Sequence, residues 1–108
     1  MADIDGMGPI SPQDKAQYKI EFERGADLFR KSFAEYQNAE GPKKDLFKDV
    51  MDKALQVMNE TAKYCLSKKK QDLEMKLEND YQNYMSSGSP ESSAKVQQDI
   101  DRLQKGLG

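Results

Sequence analysis

The chain has 108 residues, 36% apolar and 33% charged, with a formal net charge of −2, one cysteine and no histidine. That length predicts one domain. The composition is leaner in apolar residues and richer in charge than the roughly 45–50% and 25% of compact globules, which suits a thin helical assembly. The small net charge and the periodic apolar residues argue against a disordered chain, and a pI near 5.2 argues against a nucleic-acid partner or an electrostatically held membrane protein, both of which need basic surfaces.

Residues 1–10, MADIDGMGPI, hold two Gly, one Pro and two Asp and read as a flexible N-terminal tail. They have neither the basic nor the apolar region of a secretory signal. No apolar run in the chain approaches the ~20 residues of a transmembrane helix. Residues 11–108 are expected to form a single helical domain.

The first helix is predicted over about 12–39. Ser11 can cap it, Pro12 suits the first helical position and Asp14 puts negative charge in the first turn. From Phe22 through Ala26, Phe29, Phe33 and Tyr36 the spacing alternates four and three, which is the seam of a coiled-coil-like face. Its aromatics need more room than Leu, so bundle packing is expected rather than a tight zipper. Ile20 and Leu28 lie off the seam and either widen the apolar face or meet a second partner. Gly25, inside the helix, costs about 1 kcal/mol relative to Ala. It is either an ordinary tolerated glycine or a point where another helix comes close. Gly41-Pro42 then ends the helix and returns the chain as a hairpin.

From Lys44 to Met85 there is no Gly and no Pro, which predicts one long helix over about 44–86, ~60 Å at 1.5 Å per residue. Phe47, Met51, Ala54, Met58, Ala62 and Cys65 form its first seam, and Leu73, Leu77, Tyr81 and Tyr84 its second. Leu46, Val50, Leu55, Val57 and Leu66 widen the first seam. The segment Ser67–Asp72 between the two has no apolar residue, but no helix breaker either. Ser86–Pro90 is a second turn. The last helix is expected over about 90–105, capped by Ser89, with Val96, Ile100, Leu103 and Leu107 as its seam and Gly106 and Gly108 ending it. The first and last helices, ~40 and ~25 Å long, together match the middle one. The expected fold is therefore all-α, an elongated antiparallel three-helix arrangement on a long central helix. The alternative is a compact four-helix bundle, reached if the central helix breaks near Ser67–Lys70.

Catalytic and metal chemistry is sparse. Without His there is no Ser-His or Cys-His pair and no Glu-x-x-His motif. One Cys makes neither an intrachain disulfide nor a thiolate zinc site. Neither phosphate-loop fingerprint is present, nor an EF-hand loop. Glu74 and Glu78, one turn apart, would work as an acid–base pair only in a pocket of low dielectric; as a surface pair they are a solvated face. Cys65 would need a cationic neighbour such as Lys68 or Lys69 to become reactive. The Lys68–Lys70 run is balanced by the acids that follow it. No catalytic residue, metal, cofactor or small-molecule substrate is expected, and the chain reads as a non-enzyme.

The wide stripe points elsewhere. Two flanking helices cannot cover it, and an uncovered apolar face meets a partner. Leu46, Val50, Leu55, Val57, Met58 and Leu66 are the expected partner-binding residues, the partner being another protein, a second copy in a dimer, or both. The expected function is a small acidic helical interaction module, a chaperone or adaptor, in the cytoplasm. In size and class it resembles the small acidic helical chaperones of bacterial secretion systems. The other reading is a structural or exported helical-hairpin subunit of a bacterial secretion-type assembly, leaving by a route that needs no signal peptide. In size it is similar to such proteins, and Tyr36–Glu40 fits a Y-x-x-x-[DE] pattern. It departs from one such family in lacking Trp, having Glu40-Gly41-Pro42 at the turn.

Overall fold

The computed structural model describes residues 12–105, all of them in four helices and their short links. The tail expected over residues 1–10, the capping Ser11, and the seam and glycine positions Gly106, Leu107 and Gly108 lie outside the described residues. The helices are α1 (Pro12–Asn38), α2 (Pro42–Cys65), α3 (Lys68–Ser87) and α4 (Pro90–Lys105). Each is antiparallel to the next. α1 lies beside α2 and α4, α3 lies beside α2 and α4, and the pairs α1/α3 and α2/α4 face each other across the middle. The result is an up-down four-helix bundle measuring 49 × 26 × 23 Å.

The long central helix is therefore corrected to two helices. α2 ends at Cys65, and Leu66 adopts φ −112°, ψ 149°, an extended conformation open to any residue. Ser67 then starts α3, its side chain accepting from the backbone N–H of Lys70 at 3.3 Å, while the Gln71 amide donates to the carbonyl of Leu66 at 3.0 Å. Reversing the chain needs no Gly or Pro when one residue can extend and the next can cap. The gain is packing: folded back, α3 buries Leu77, Tyr81 and Tyr84, which a straight rod would leave to a short α4 alone. Lys70, from the run expected to be solvated, donates its ammonium to the carbonyl of Arg102 at the end of α4, 3.4 Å away.

The other turns behave as their residues require. Gly41, at φ 62°, precedes α2 with Pro42 in its first turn, and Gly88, at φ 64°, closes α3 in the left-handed region. Ser89 caps α4, accepting from the N–H of Ser92 at 3.2 Å. One core runs the length of the bundle. Phe22, Ala26, Phe29 and Phe33 of α1 meet Met51, Ala54, Met58 and Ala62 of α2, Leu77 and Tyr81 of α3, and Val96, Ile100 and Leu103 of α4, all nearly inaccessible to water. Aromatic edges lock the diagonal. Phe29 meets Tyr81 at 5.5 Å between centroids, and Phe33 meets Tyr84 at 5.2 Å.

Gly25 marks a close approach. A β-carbon there would stand 3.1 Å from Cγ of Met58 and 3.3 Å from the carbonyl oxygen of Ala54, so α1 and α2 touch nearly backbone to backbone. Gly25→Leu is expected to force these helices apart and to destabilise the fold by about 1–3 kcal/mol, as overpacking does, read by urea unfolding. Ser67→Ala, which removes the α3 cap, should cost about 1 kcal/mol in the same measurement.

Candidate docking surface

Helical spacing lays two seams on α2. Met51, Ala54, Met58 and Ala62 point inward and are buried. Leu46, Val50 and Val57 point away from α3 and α4, on the outer side of the α1–α2 hairpin. Leu46 keeps 64% of its surface exposed and Val57 38%, and Val50 is half-buried. Leu28 of α1, 46% exposed, shares a trough with Val57. Near its middle the trough forms a hollow of about 330 Å³ lined by Glu21, Arg24, Gly25, Leu28, Lys53, Ala54 and Val57. A second hollow, of about 430 Å³, lies toward the hairpin turn between Glu35, Asn38, Ala39, Lys43, Leu46, Phe47 and Val50. The first hollow is open because Gly25 supplies no side chain to fill it.

The expected partner-binding set therefore divides. Leu46, Val50 and Val57 share this outer face. Met58 is fully buried and Leu55 6% exposed; both are core, and their placement on a partner surface is corrected. Leu55 lies on the α3 side of α2, where the return of α3 covers it. Leu66 is half-buried in the α2–α3 link and packs against the core, so it is not on the outer face either. Leu28 belongs to this side of α1; Ile20, 42% exposed, is likewise off the inward seam but lines neither hollow. Their signal in the sequence was their position off the inward seam. Met75, 61% exposed on α3, stands apart.

The two acids one turn apart on α3 are a different kind of site from the solvated face expected. Glu74 is 1% exposed. The amide of Asn59 on α2 donates to Glu74 Oε1 at 3.3 Å and to Glu78 Oε2 at 3.0 Å, while Glu74 Oε2 has no partner among the described residues. Burial first, and the adjoining Glu78 carboxyl second, push Glu74 up to about 8, so it holds its proton at neutral pH. Closed in this way, Glu74 does not reach a solvent-borne substrate. Asp99 on α4 is similar. It is fully buried, lies 3.4 Å from the Lys76 ammonium, and is pushed up to about 6 by burial and by Asp80. Asp80, beside Asp99 and 2.8 Å from Lys76, is held below the usual carboxylate range. Burial and the carboxylate of Glu23 raise the Cys65 thiol, which keeps it protonated rather than reactive. Among the described residues no group of three or more Cys, Asp or Glu side chains is placed to hold a metal ion, and no helix is long and apolar enough to cross a membrane.

Compared with protein-family models, with curated proteins and with solved structures, the chain matches none, so its functional reading rests on its own geometry.

The buried acids set a pH dependence whose sign follows from proton binding. Glu74 rises from 4.5 to about 8 and Asp99 from 3.8 to about 6, so between those values the folded chain binds more protons than the unfolded one. Stability is then fully present below the ordinary carboxylate range and is lost as pH rises through about 6 and then about 8. Asp80 acts oppositely, below its ordinary 3.8. Thermal melts should show a lower Tm near pH 8.5 than near pH 5. Glu74→Gln, which keeps the shape without the charge, should raise Tm at pH 8.5 and flatten the upper part of the profile.

Proposed function

We propose that the protein is a helical protein–protein interaction module, a chaperone or adaptor that holds its partner on the outer face of the α1–α2 hairpin. The observation that carries this is the exposure of Leu28 and Val57 at one hollow and of Leu46 at a second, both between α1 and α2, in a bundle that already has a closed core. Scattered exposed apolar residues are ordinary, but a contiguous strip of them with charged margins suits a docking face. The absence of His from the chain and the enclosure of its raised carboxyls favour a non-enzymatic role. A free thiol at Cys65 fits a reducing, cytoplasmic setting. The second reading, a structural helical-hairpin subunit, draws on one feature: α1 and α2, at 27 and 24 residues, form a hairpin longer than α3 and α4, as a self-assembling hairpin would require.

Leu46→Asp with Val57→Asp tests the role of the face. Both sites are exposed, so the melting temperature should stay close to that of the unchanged chain. A pull-down from the native host should lose the specific partner that the unchanged chain retains. Retention of the same partner by the double variant would overturn the assignment of this face. Leu66→Asp serves as a contrast, because it should lower Tm by disturbing the α2–α3 link.

A further inference from the structure

We propose that Glu74 and Glu78 share one proton at the α2–α3 seam, and that losing it frees the first turns of α3 to swing away from α2 on the Leu66–Ser67 link. Glu74 stands where an apolar residue belongs. It opens the inward row Glu74, Leu77, Tyr81 and Tyr84, spaced three, four and three, all of them buried. From α2 the side-chain nitrogen of Asn59 donates to Glu74 Oε1 at 3.3 Å and to Glu78 Oε2 at 3.0 Å, so both carboxyls crowd one amide. They also meet each other as a hydrogen-bonded pair. Two carboxylates can only accept, so that bond exists only with a proton between them. Glu74 Oε2, cut off from water and from any donor among the described residues, is the oxygen that carries it.

No cation takes the proton's place. Neither acid enters an ion pair among the described residues. On α2, Lys48 and Asp52 are paired with each other at 2.8 Å, and Glu60 accepts from Gln56. On α3, Lys70 donates to the carbonyl of Arg102, and Lys76 holds Asp80 and the Asp99 of α4. Lys95 of α4 acts on Asp80, not on Glu74, whose one charged influence is Glu78. The two acid pairs thus differ. Asp80 and Asp99 have an ammonium beside them and tie α3 to α4, whereas Glu74 and Glu78 have only an amide and a proton and tie α3 to α2. Glu74 is pushed up to about 8, so the proton is in place at neutral pH and leaves as pH rises through that value. The charge left behind is buried beside a second one, and moving into water relieves both penalties.

One end of the seam is placed to give way. Leu66 and Ser67 are the whole link, and Lys68–Asp72 holds no apolar residue. Half-buried Leu73 and buried Leu77 are the first apolar anchors of α3, and few buried apolar contacts mark a segment that opens locally. A hollow of about 420 Å³ already separates the helices beside Asn59 and Glu78, with Leu55 in its wall. An outward swing widens it and uncovers Leu55. Farther along, the Tyr81 hydroxyl donates to Asp52 at 2.8 Å. Burial raises that hydroxyl above the ordinary tyrosine range, so it keeps its proton where Glu74 has lost one. The movement therefore stops short of Tyr81, and the rest of the bundle stays closed.

The test is hydrogen exchange of the full chain, corrected for the pH dependence of the intrinsic rate. Between pH 7 and pH 9 the protection of Gln71–Leu77 should fall about tenfold, the rise in opening that a group titrating near 8 produces. At each pH that protection should lie below that of α1 and respond little to low urea, as a local opening does. Glu74→Gln should hold it constant across this range. Glu78→Gln should move the fall to lower pH, because it removes the neighbouring charge. Equal protection at pH 7 and pH 9 in the unchanged chain would overturn the opening. Protection equal to that of α1, with the same urea response, would overturn the hinge, since the segment would then exchange only by global unfolding. A fall that survives Glu74→Gln, or one that Glu78→Gln does not move, would overturn the shared proton.

Discussion

At Gly25 the α1 and α2 backbones come so close that the carbonyl oxygen of Ala54 lies 3.3 Å from where a β-carbon would stand. This contact shapes both sides of the hairpin. Inward, it brings the Phe22–Phe33 seam and the Met51–Ala62 seam together at short interaxial distance, so their bulk projects toward α3 and α4 instead of lying between α1 and α2. The second hairpin must then supply large side chains to meet them, and it does so with Leu77, Tyr81, Val96, Ile100 and Leu103. Outward, the missing side chain leaves a trough between Leu28 and Val57. A larger residue at 25 would separate the helices and fill the trough together.

The two hairpins are unequal in chemistry. α1 and α2 bury only hydroxyls as polar groups. One of these, Thr61, bonds back to the carbonyl of Val57 at 2.8 Å, a local partner that does not depend on the rest of the bundle. α3 and α4 bury three carboxyls, two with an oxygen lacking a partner among the described residues. Buried acids with an oxygen left without a partner are costly unless protonated, so the attachment of the second hairpin carries most of the molecule's sensitivity to pH. Tyr81 partly offsets this through its 2.8 Å hydrogen bond to Asp52, which ties α3 to α2 from the aromatic side. The same enclosure, with the adjoining Glu78 carboxyl, is what raises Glu74.

Much of the fold was legible because it is written as periodicity. The three-four spacing identified Phe22, Phe29, Phe33, Met51, Leu77, Val96 and Ile100 as inward residues, and the two Gly/Pro turns lie where expected. The break at Leu66–Ser67 was legible only as the alternative, a break near Ser67–Lys70 that closes the chain into a four-helix bundle, and the preferred reading ran the helix through it. Its link is two residues long, one an ordinary extended leucine and the other a serine cap, and neither stands out from a continuing helix. That single miss propagated. With a continuous rod, Leu55 and Met58 looked like surplus apolar area available to a partner; with α3 folded back they are core. Leu46, Val50 and Val57 survive on the open side because α3 approaches α2 from the opposite flank. The burial of Glu74 was illegible for a related reason, since one carboxylate a turn from another reads the same on a solvated face as at an interface.

α2 therefore serves two faces with separate residues. Inward positions such as Met51 and Met58 and outward positions such as Leu46 and Val57 lie on different sides of one cylinder, so most substitutions on the outer face leave the core contacts untouched. At Leu55 or Leu66 a substitution would disturb the core instead. Gly25 and Ala54 are the exceptions, because both belong to the tight contact inside and to the wall of the trough outside. A change at either alters core packing and face shape at once. The exposed apolar strip has no such excuse in folding: the bundle closes without Leu46 or Leu28, and polar residues there would be better solvated. Leu46 and Leu28 stay largely exposed, so contacts among the four helices do not account for them.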